Sequence, residues 1–228
     1  FAVVLARDTF DRWIAATKLP PLKTETSAEI RDRNGDLLRL YTVENGRWRL
    51  RVAPEMVDSR YVEMLIAYED KRFYRHAGVD PLALMRAAGQ AIANGEIVSG
   101  GSTLTMQVAR LLEQSGTGRW AGKLRQMRVA LALERRMTKR EILQLYLTRA
   151  PFGGNLEGVR AATLAWFGKG PGRLTPAEAA LLVALPQSPE ARRPDRNANA
   201  ASAARNRVLE RVARAGVLSG EHGLYALT

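Results

Sequence analysis

Cysteine is absent from the 228 residues, and His76 and His222 are the only histidines. Disulfides, thiolate zinc sites, cysteine nucleophiles and His-rich metal centres are therefore excluded. Aromatic residues are scarce at 7%. No basic stretch is interleaved with them and no nucleic-acid recognition motif appears, so nucleic acid is not an expected partner. No run approaches the ~20 apolar residues that cross a bilayer. The apolar start at 1–6 is broken by Arg7, Asp8, Asp11 and Arg12. Because the sequence opens on Phe1 rather than Met, any membrane anchor is expected upstream of it. Acidic residues are the scarcer charge, 23 against 35 basic, which leaves +12. A balance of that size calls for an anionic partner, such as a phosphorylated ligand or an anionic membrane surface.

What is present reads as mainly α with a small N-terminal antiparallel β meander. Pro20, Pro21 and polar neighbours mark 18–27 as a linker. Two Asn-Gly turn signals, Asn34-Gly35 and Asn45-Gly46, separate three short segments at 28–33, 36–43 and 47–52, which predicts three strands. From Ser59 onward the apolar spacing is helical. Ser59 is a candidate cap, Asp80 followed by Pro81 is another, and Thr138 with Glu141 and Thr175 with Glu178 fit the capping box. Helices are expected near 60–76, 81–94, 103–114, 119–136, 139–148, 155–166, 176–185 and 200–215.

Three stretches carry groups suited to chemistry. Glu69 follows Leu65 and Ile66 by four and three residues and precedes Phe73 by four, so on a helix it lies within the apolar stripe. A carboxylate against apolar groups suits a general base, because desolvation disfavours the charged form. The same pattern fits a boundary glutamate paired with a lysine or arginine. Asp70, about 100° further round, is expected to face more polar surroundings. His76 fits a packing role as readily as a site.

In the second stretch, Gly100 and Gly101 lead into Ser102, Thr103 and Thr105. Exposed amides at such a helix start suit an anion, although a plain Ser/Thr cap explains the residues equally. It is not a phosphate loop of the NTPase kind, since Gly101 stands where lysine is required. The third stretch holds Arg119, Lys123, Arg125, Arg128, Arg135, Arg136, Lys139 and Arg140, with Glu134 the only acid before Glu141. Lys123 with Met127, and Leu124 with Leu131, suggest one basic and one buried face. Such a run fits a solvated face or a pyrophosphate cradle.

The order of these groups is more specific than any one of them. Glu69, Asp70, Phe73, His76, Gly78 and Asp80 come first. Ser102, Thr103, Leu104, Thr105 and Gln107 follow, then Lys139, Glu141, Tyr146 and Leu147, then Gly158, Ala161, Ala162, Phe167, Gly168 and Lys169. This series resembles the peptidoglycan glycosyltransferase domain of class A penicillin-binding proteins, over roughly 28–215. The resemblance implies a lysozyme-like helical lobe, with 1–27 as a juxtamembrane segment and linker and 28–228 as the glycosyltransferase domain. It implies lipid II and a lipid-linked glycan strand as substrates, at the periplasmic face of the bacterial inner membrane.

Under the resemblance, Glu69 matches the catalytic base. Asp70, Phe73, His76, Ser102, Thr103, Gln107, Arg110, Lys123 and Gln126 match substrate-binding positions, with Lys123 at the pyrophosphate. Three positions depart from the family: Gly122 where arginine is usual, Gln126 where a second glutamate is usual, and Thr148 where asparagine is usual. Divalent cations such as Mg assist where that glutamate is present. Gln126 weakens that expectation, since an amide neither ionises nor binds such a cation strongly. The family normally carries a transpeptidase domain as well, but no Ser here has Lys three residues on, so the penicillin site lies outside these residues. The residues alone leave two other readings: a lysozyme-type glycan hydrolase using Glu113 or Glu134 as second carboxylate, and a weakly catalytic module that binds lipid II as a scaffold.

Overall fold

The computed structural model describes residues 2–94, 101–113 and 120–218. Among them are nine α-helices and four short strands, in two bodies described separately: Phe1–Lys23 with Arg72–Leu143, and Thr24–Lys71 with Gln144–Thr228.

The first body is built on α4 (Leu104–Glu113) and α5 (Trp120–Glu134), which pack together. Met106, Val108, Ala109 and Leu112 of α4 are buried, as are Val129, Ala130, Ala132 and Leu133 of α5. The buried face of α5 thus differs from the expected one. Leu124 is exposed, and Gln126 lies on the inner face with Val129, Ala130 and Leu133. Gly78 closes the body, since its φ of +98° and a Cβ that would stand 2.6 Å from the Ala130 carbonyl oxygen admit only glycine. Helix α3 (Pro81–Asn94) starts where Asp80 and Pro81 signal it, with the Asp80 carboxylate accepting from the Leu82 and Ala83 amides at 3.0 and 3.3 Å.

Helix α1 (Ala2–Ala15) is an element the sequence pattern does not reveal. Val3, Val4 and Leu5 are exposed and only Ile14 is deeply buried, so no apolar stripe marks it. It docks on α5 by polar means. Arg128 stacks 4.6 Å from the Trp13 ring and donates to the Trp13 carbonyl oxygen, and Arg135 pairs with Asp11.

The second body packs α2 (Ser59–Glu69) on α8 (Pro176–Ala184) and α9 (Ala198–Arg214), and α8 on α9. Tyr61, Met64 and Leu65 are buried with Ala179, Ala180, Leu182, Val183 and Ala184 of α8 and Ala204, Val208 and Val212 of α9. The cap of α2 is Asp58 rather than Ser59. Its carboxylate accepts from the Arg60 amide at 3.0 Å and from the distant Leu174 amide at 2.8 Å. Hydrogen bonds to these amides and to the Arg60 side chain outweigh burial and hold the Asp58 carboxyl below its usual range. Thr175 and Glu178 form the expected capping box of α8. Helix α2 ends at Glu69 because Asp70 leaves the helical region at φ −155°, ψ 74°; Phe73–Arg75 is a separate 3-10 turn. Helix α7 (Val159–Phe167) begins later than expected, since Gly158 takes φ +85° against the Thr148 carbonyl oxygen.

Two of the three expected strands pair as a hairpin. β1 (Ala28–Arg31) runs antiparallel to β2 (Leu37–Tyr41) across the Asn34-Gly35 turn. The third does not complete the meander. β3 (Trp48–Arg49) pairs in parallel with β4 (Leu156–Glu157), residues far along the chain. The cause is a buried ion pair: Arg49 Nε donates to Glu157 Oε2 at 2.6 Å, and Arg47 binds the other oxygen. No local turn signal can report a partner more than a hundred residues away.

Removing one member of this pair leaves a charge buried without compensation. Glu157→Ala is expected to cost about 3–5 kcal/mol in urea unfolding. A loss under about 1 kcal/mol would show that Arg49 finds water or another partner.

Candidate active site

Glu69 and Asp70 belong to the second body, whereas Phe73, His76, Ser102, Thr103, Gln107, Arg110, Lys123 and Gln126 belong to the first.

In the first body these residues form a connected cluster. Phe73 is fully buried, its ring 6.4 Å from that of His76, with the Lys139 ammonium 4.6 Å from its centroid. His76 is buried, and its Nδ1 accepts from the Gly78 amide at 3.1 Å. Thr103 donates to the Gly78 carbonyl oxygen at 2.6 Å and accepts from the Met106 amide at 3.1 Å. It therefore ties the start of α4 to the loop after His76. The glycine-rich residues 95–100 and Arg119 lie outside the described residues; Gly101 is half-buried, and its Cβ would stand 2.9 Å from Leu84.

Ser102 Oγ accepts from the Lys123 ammonium. Burial, and then the like charge of Arg110, push the Lys123 ammonium below its usual range. Gln107 and Arg110 stand three residues apart on α4, half-buried. Gln126, three residues beyond Lys123, is buried and its Nε2 makes no hydrogen bond within the structure. Lys123, Arg110 and Ser102 thus bring together an ammonium, a guanidinium and a hydroxyl, a set suited to phosphate oxygens. It does not suit a divalent cation, which takes carboxylate and carbonyl oxygens. Among the described residues no three His, Asp or Glu side chains are grouped as metal ligands.

In the second body Glu69 ends α2 half-buried, and its Oε1 accepts from Gln187 Nε2 at 2.7 Å. Asp70 is the more buried of the two. The 100° rotation assumed a continuing helix, but the backbone turns away at Asp70. Tyr61 is fully buried, its hydroxyl without a hydrogen-bond partner, and its pKa is raised by burial and then by the charge of Glu69. Gln187 lies in the turn after α8, within the run Leu185-Pro186-Gln187-Ser188-Pro189, and its bond reaches Glu69, 118 residues away.

The two carboxylates that a hydrolase would need as partners are engaged elsewhere. Glu134 accepts from Thr105 and Lys139, both at 2.6 Å, and Glu113 pairs with Arg125 at 2.7 Å.

Comparison with known proteins decides the family. The family model described as Transglycosylase matches residues 35–213. The chain belongs to the transglycosylase family. Penicillin-binding protein 1C of Escherichia coli is 51% identical over 189 residues, which cover 83% of this chain and 24% of that protein. Penicillin-binding protein 1A of Aquifex aeolicus is 34% identical over 195 residues, 86% of this chain and 26% of the other. The crystal structure of penicillin-binding protein 1A from Haemophilus influenzae matches with a TM-score of 0.50 at 21% identity, covering 93% of this chain and 21% of that one, and shares the fold alone. The chain spans about a quarter of the length of these relatives. The motif series and the mainly α fold it implied agree with this family. Neither the hydrolase nor the scaffold reading is favoured by it.

The unpartnered amide of Gln126 gives a test that needs no substrate. Gln126→Leu removes a buried donor that makes no bond, so stability is expected to be unchanged or raised by about 1 kcal/mol in thermal unfolding. A loss larger than that would mean the amide has a structural partner.

Proposed function

We propose that this transglycosylase-family chain is a peptidoglycan glycosyltransferase that polymerises lipid II into β-1,4-linked glycan strands. The single observation that carries the proposal is the family match over 35–213, which spans every matched site residue. The geometry supports the division of roles. Glu69 is the base: a half-buried carboxylate at the end of α2, accepting from the Gln187 amide, suits taking a proton. It takes the proton of the GlcNAc 4-hydroxyl of lipid II as that oxygen attacks the anomeric carbon of the lipid-linked strand. The bond from that carbon to the pyrophosphate oxygen breaks in the same displacement, so configuration inverts and undecaprenyl pyrophosphate leaves.

The leaving group gathers negative charge as the bond breaks. Lys123, Arg110, Ser102 and the Gln126 amide are donors suited to receive it, and their contribution is greatest in the transition state. No step is routed through a metal. Phe73, His76, Thr103 and Gln107 of the same body shape this cluster, and Asp70 follows the base in the second body. A transpeptidase domain in the same full-length protein belongs to the same proposal. So does a place in the cell envelope, at the periplasmic face of the inner membrane, where +12 favours an anionic surface. No helix among the described residues is long and apolar enough to cross a membrane.

Glu69→Gln tests the reading with labelled lipid II in detergent. Polymer formation is expected to fall by about 10²-fold or more with melting unchanged; polymer at the wild-type rate would remove Glu69 as base. A second expectation follows from Lys123. Burial and Arg110 make its ammonium lose a proton at lower pH than an ordinary lysine, near 10.4. The rate should therefore decline on the alkaline side below that range. Lys123→Arg should move the decline to higher pH, because guanidinium stays charged. An alkaline limb that Lys123→Arg leaves in place would assign it to another group.

A further inference from the structure

The bond to Glu69 is the first link of a longer chain. Gln187 Nε2 donates to Glu69 Oε1 at 2.7 Å. On the far side of the same amide, Arg192 Nη1 donates to Gln187 Oε1 at 3.1 Å, and to the Ala184 carbonyl oxygen at 2.6 Å. All of these residues lie in the second body.

We infer that Arg192, acting through the side-chain amide of Gln187, is a positioning residue for Glu69. The inference rests on the reading of Glu69 as general base. The argument is one of donor and acceptor type. A guanidinium has five donors and no acceptor, so it selects the amide oxygen and turns the NH2 group the other way. The NH2 group then meets the carboxylate, which accepts only. A flipped amide would set NH2 against guanidinium and oxygen against carboxylate, two repulsive contacts in place of two bonds.

Arg192 is itself fixed. Its second bond is to Ala184, the last residue of α8, whose carbonyl belongs to the turn of the helix left without intrahelical partners. The Glu69 carboxylate is therefore oriented from the end of α8, through Arg192 and Gln187. The amide supplies a directed donor and adds no charge of its own.

The charge of Glu69 also acts on the Tyr61 hydroxyl of α2, and Arg211 of α9 stacks 4.6 Å from the ring of the neighbouring Tyr68. Neither holds Gln187. Gln187 is exposed, so replacing it leaves the core intact.

The experiment is a double-mutant cycle on lipid II polymerisation, with kcat, KM and the pH profile of kcat read for each variant. Gln187→Leu is expected to lower kcat about tenfold with KM within about twofold. Its acid limb should move to higher pH, because a bond that favours the charged carboxylate is gone. Gln187→Lys restores a donor and should bring the acid limb back to or below its original position. Arg192→Leu should lower kcat by less, and Gln187→Leu with Arg192→Leu should be no slower than Gln187→Leu alone, since both act along one path.

A Gln187→Leu variant with unchanged kcat and acid limb would overturn the inference, as would losses that multiply in the double variant. Arg192→Leu also removes the bond to Ala184, so melting is followed for each variant; a kcat loss that tracks melting rather than the cycle would count against the inference. Failure of the underlying reading looks different: Glu69→Gln would retain polymer formation.

Discussion

Helix α2 lies against α8 because α8 is nearly all small or aliphatic on the face it offers: Ala179, Ala180, Val183 and Ala184 are buried, and so are Tyr61, Met64 and Leu65 of α2. Small side chains let helix axes approach closely. The placing of Glu69 depends on that contact. Glu69 is the last residue of α2, and Gln187 stands three residues after the last residue of α8. The two helices therefore finish at a common end, and the hydrogen bond joins those ends. A larger residue at one of the α8 alanines would push α2 outward and lengthen that bond before it disturbed any residue of the proposed chemistry.

The end of a helix is a poor place for a carboxylate. Unsatisfied carbonyls give the C-terminal turn a partial negative charge, which disfavours an anion. At the other end of the same helix Asp58 meets the opposite field and holds the Arg60 and Leu174 amides. One helix thus carries two carboxylates in opposed environments. The one at the start is anchored as an ion and serves structure. The one at the finish accepts from the Gln187 amide and is the proposed base. The Gln187 amide offsets part of the unfavourable field without neutralising it.

What could be read in the sequence was whatever is local. The capping boxes at Thr138 and Thr175, the Asp80–Pro81 start and the first hairpin are each settled by nearby residues, and each agrees with the structure. Misreadings came where a distant partner decides. Trp48–Arg49 pairs with Leu156–Glu157 and not with β2 because Glu157 is the counter-charge of Arg49. Asp58 displaces Ser59 as cap because it also serves Leu174. The helix expected to run through 76 stops at Glu69, because the backbone turns away at Asp70. Helix α1 went unread because its docking uses Arg128 of α5 and Arg135 just after it, and not an apolar stripe. Most of the candidate site was legible, since its motifs are contiguous, but Gln187 and Arg192 act across a gap in sequence that no spacing rule spans.

The neutral residue at 126 changes the electrostatics of the cationic cluster in a definite direction. A glutamate there, three residues from Lys123 on one helix, would face the ammonium and hold its proton. With Gln126 no such carboxylate offsets burial or the repulsion from Arg110, and the ammonium is correspondingly easier to deprotonate. An arriving pyrophosphate would reverse this, because its charge favours the ammonium and its oxygens can accept from the Gln126 amide. Anion binding and protonation of Lys123 are then linked: each makes the other more favourable. The cluster becomes most cationic when the anion is present, and its charge is largest in the state where leaving-group charge has to be stabilised. In the proposed reaction, a glutamate at 126 would make that charge permanent but would also place an anion beside the leaving group. The amide avoids that repulsion, and in exchange Lys123 depends on the anion to stay charged.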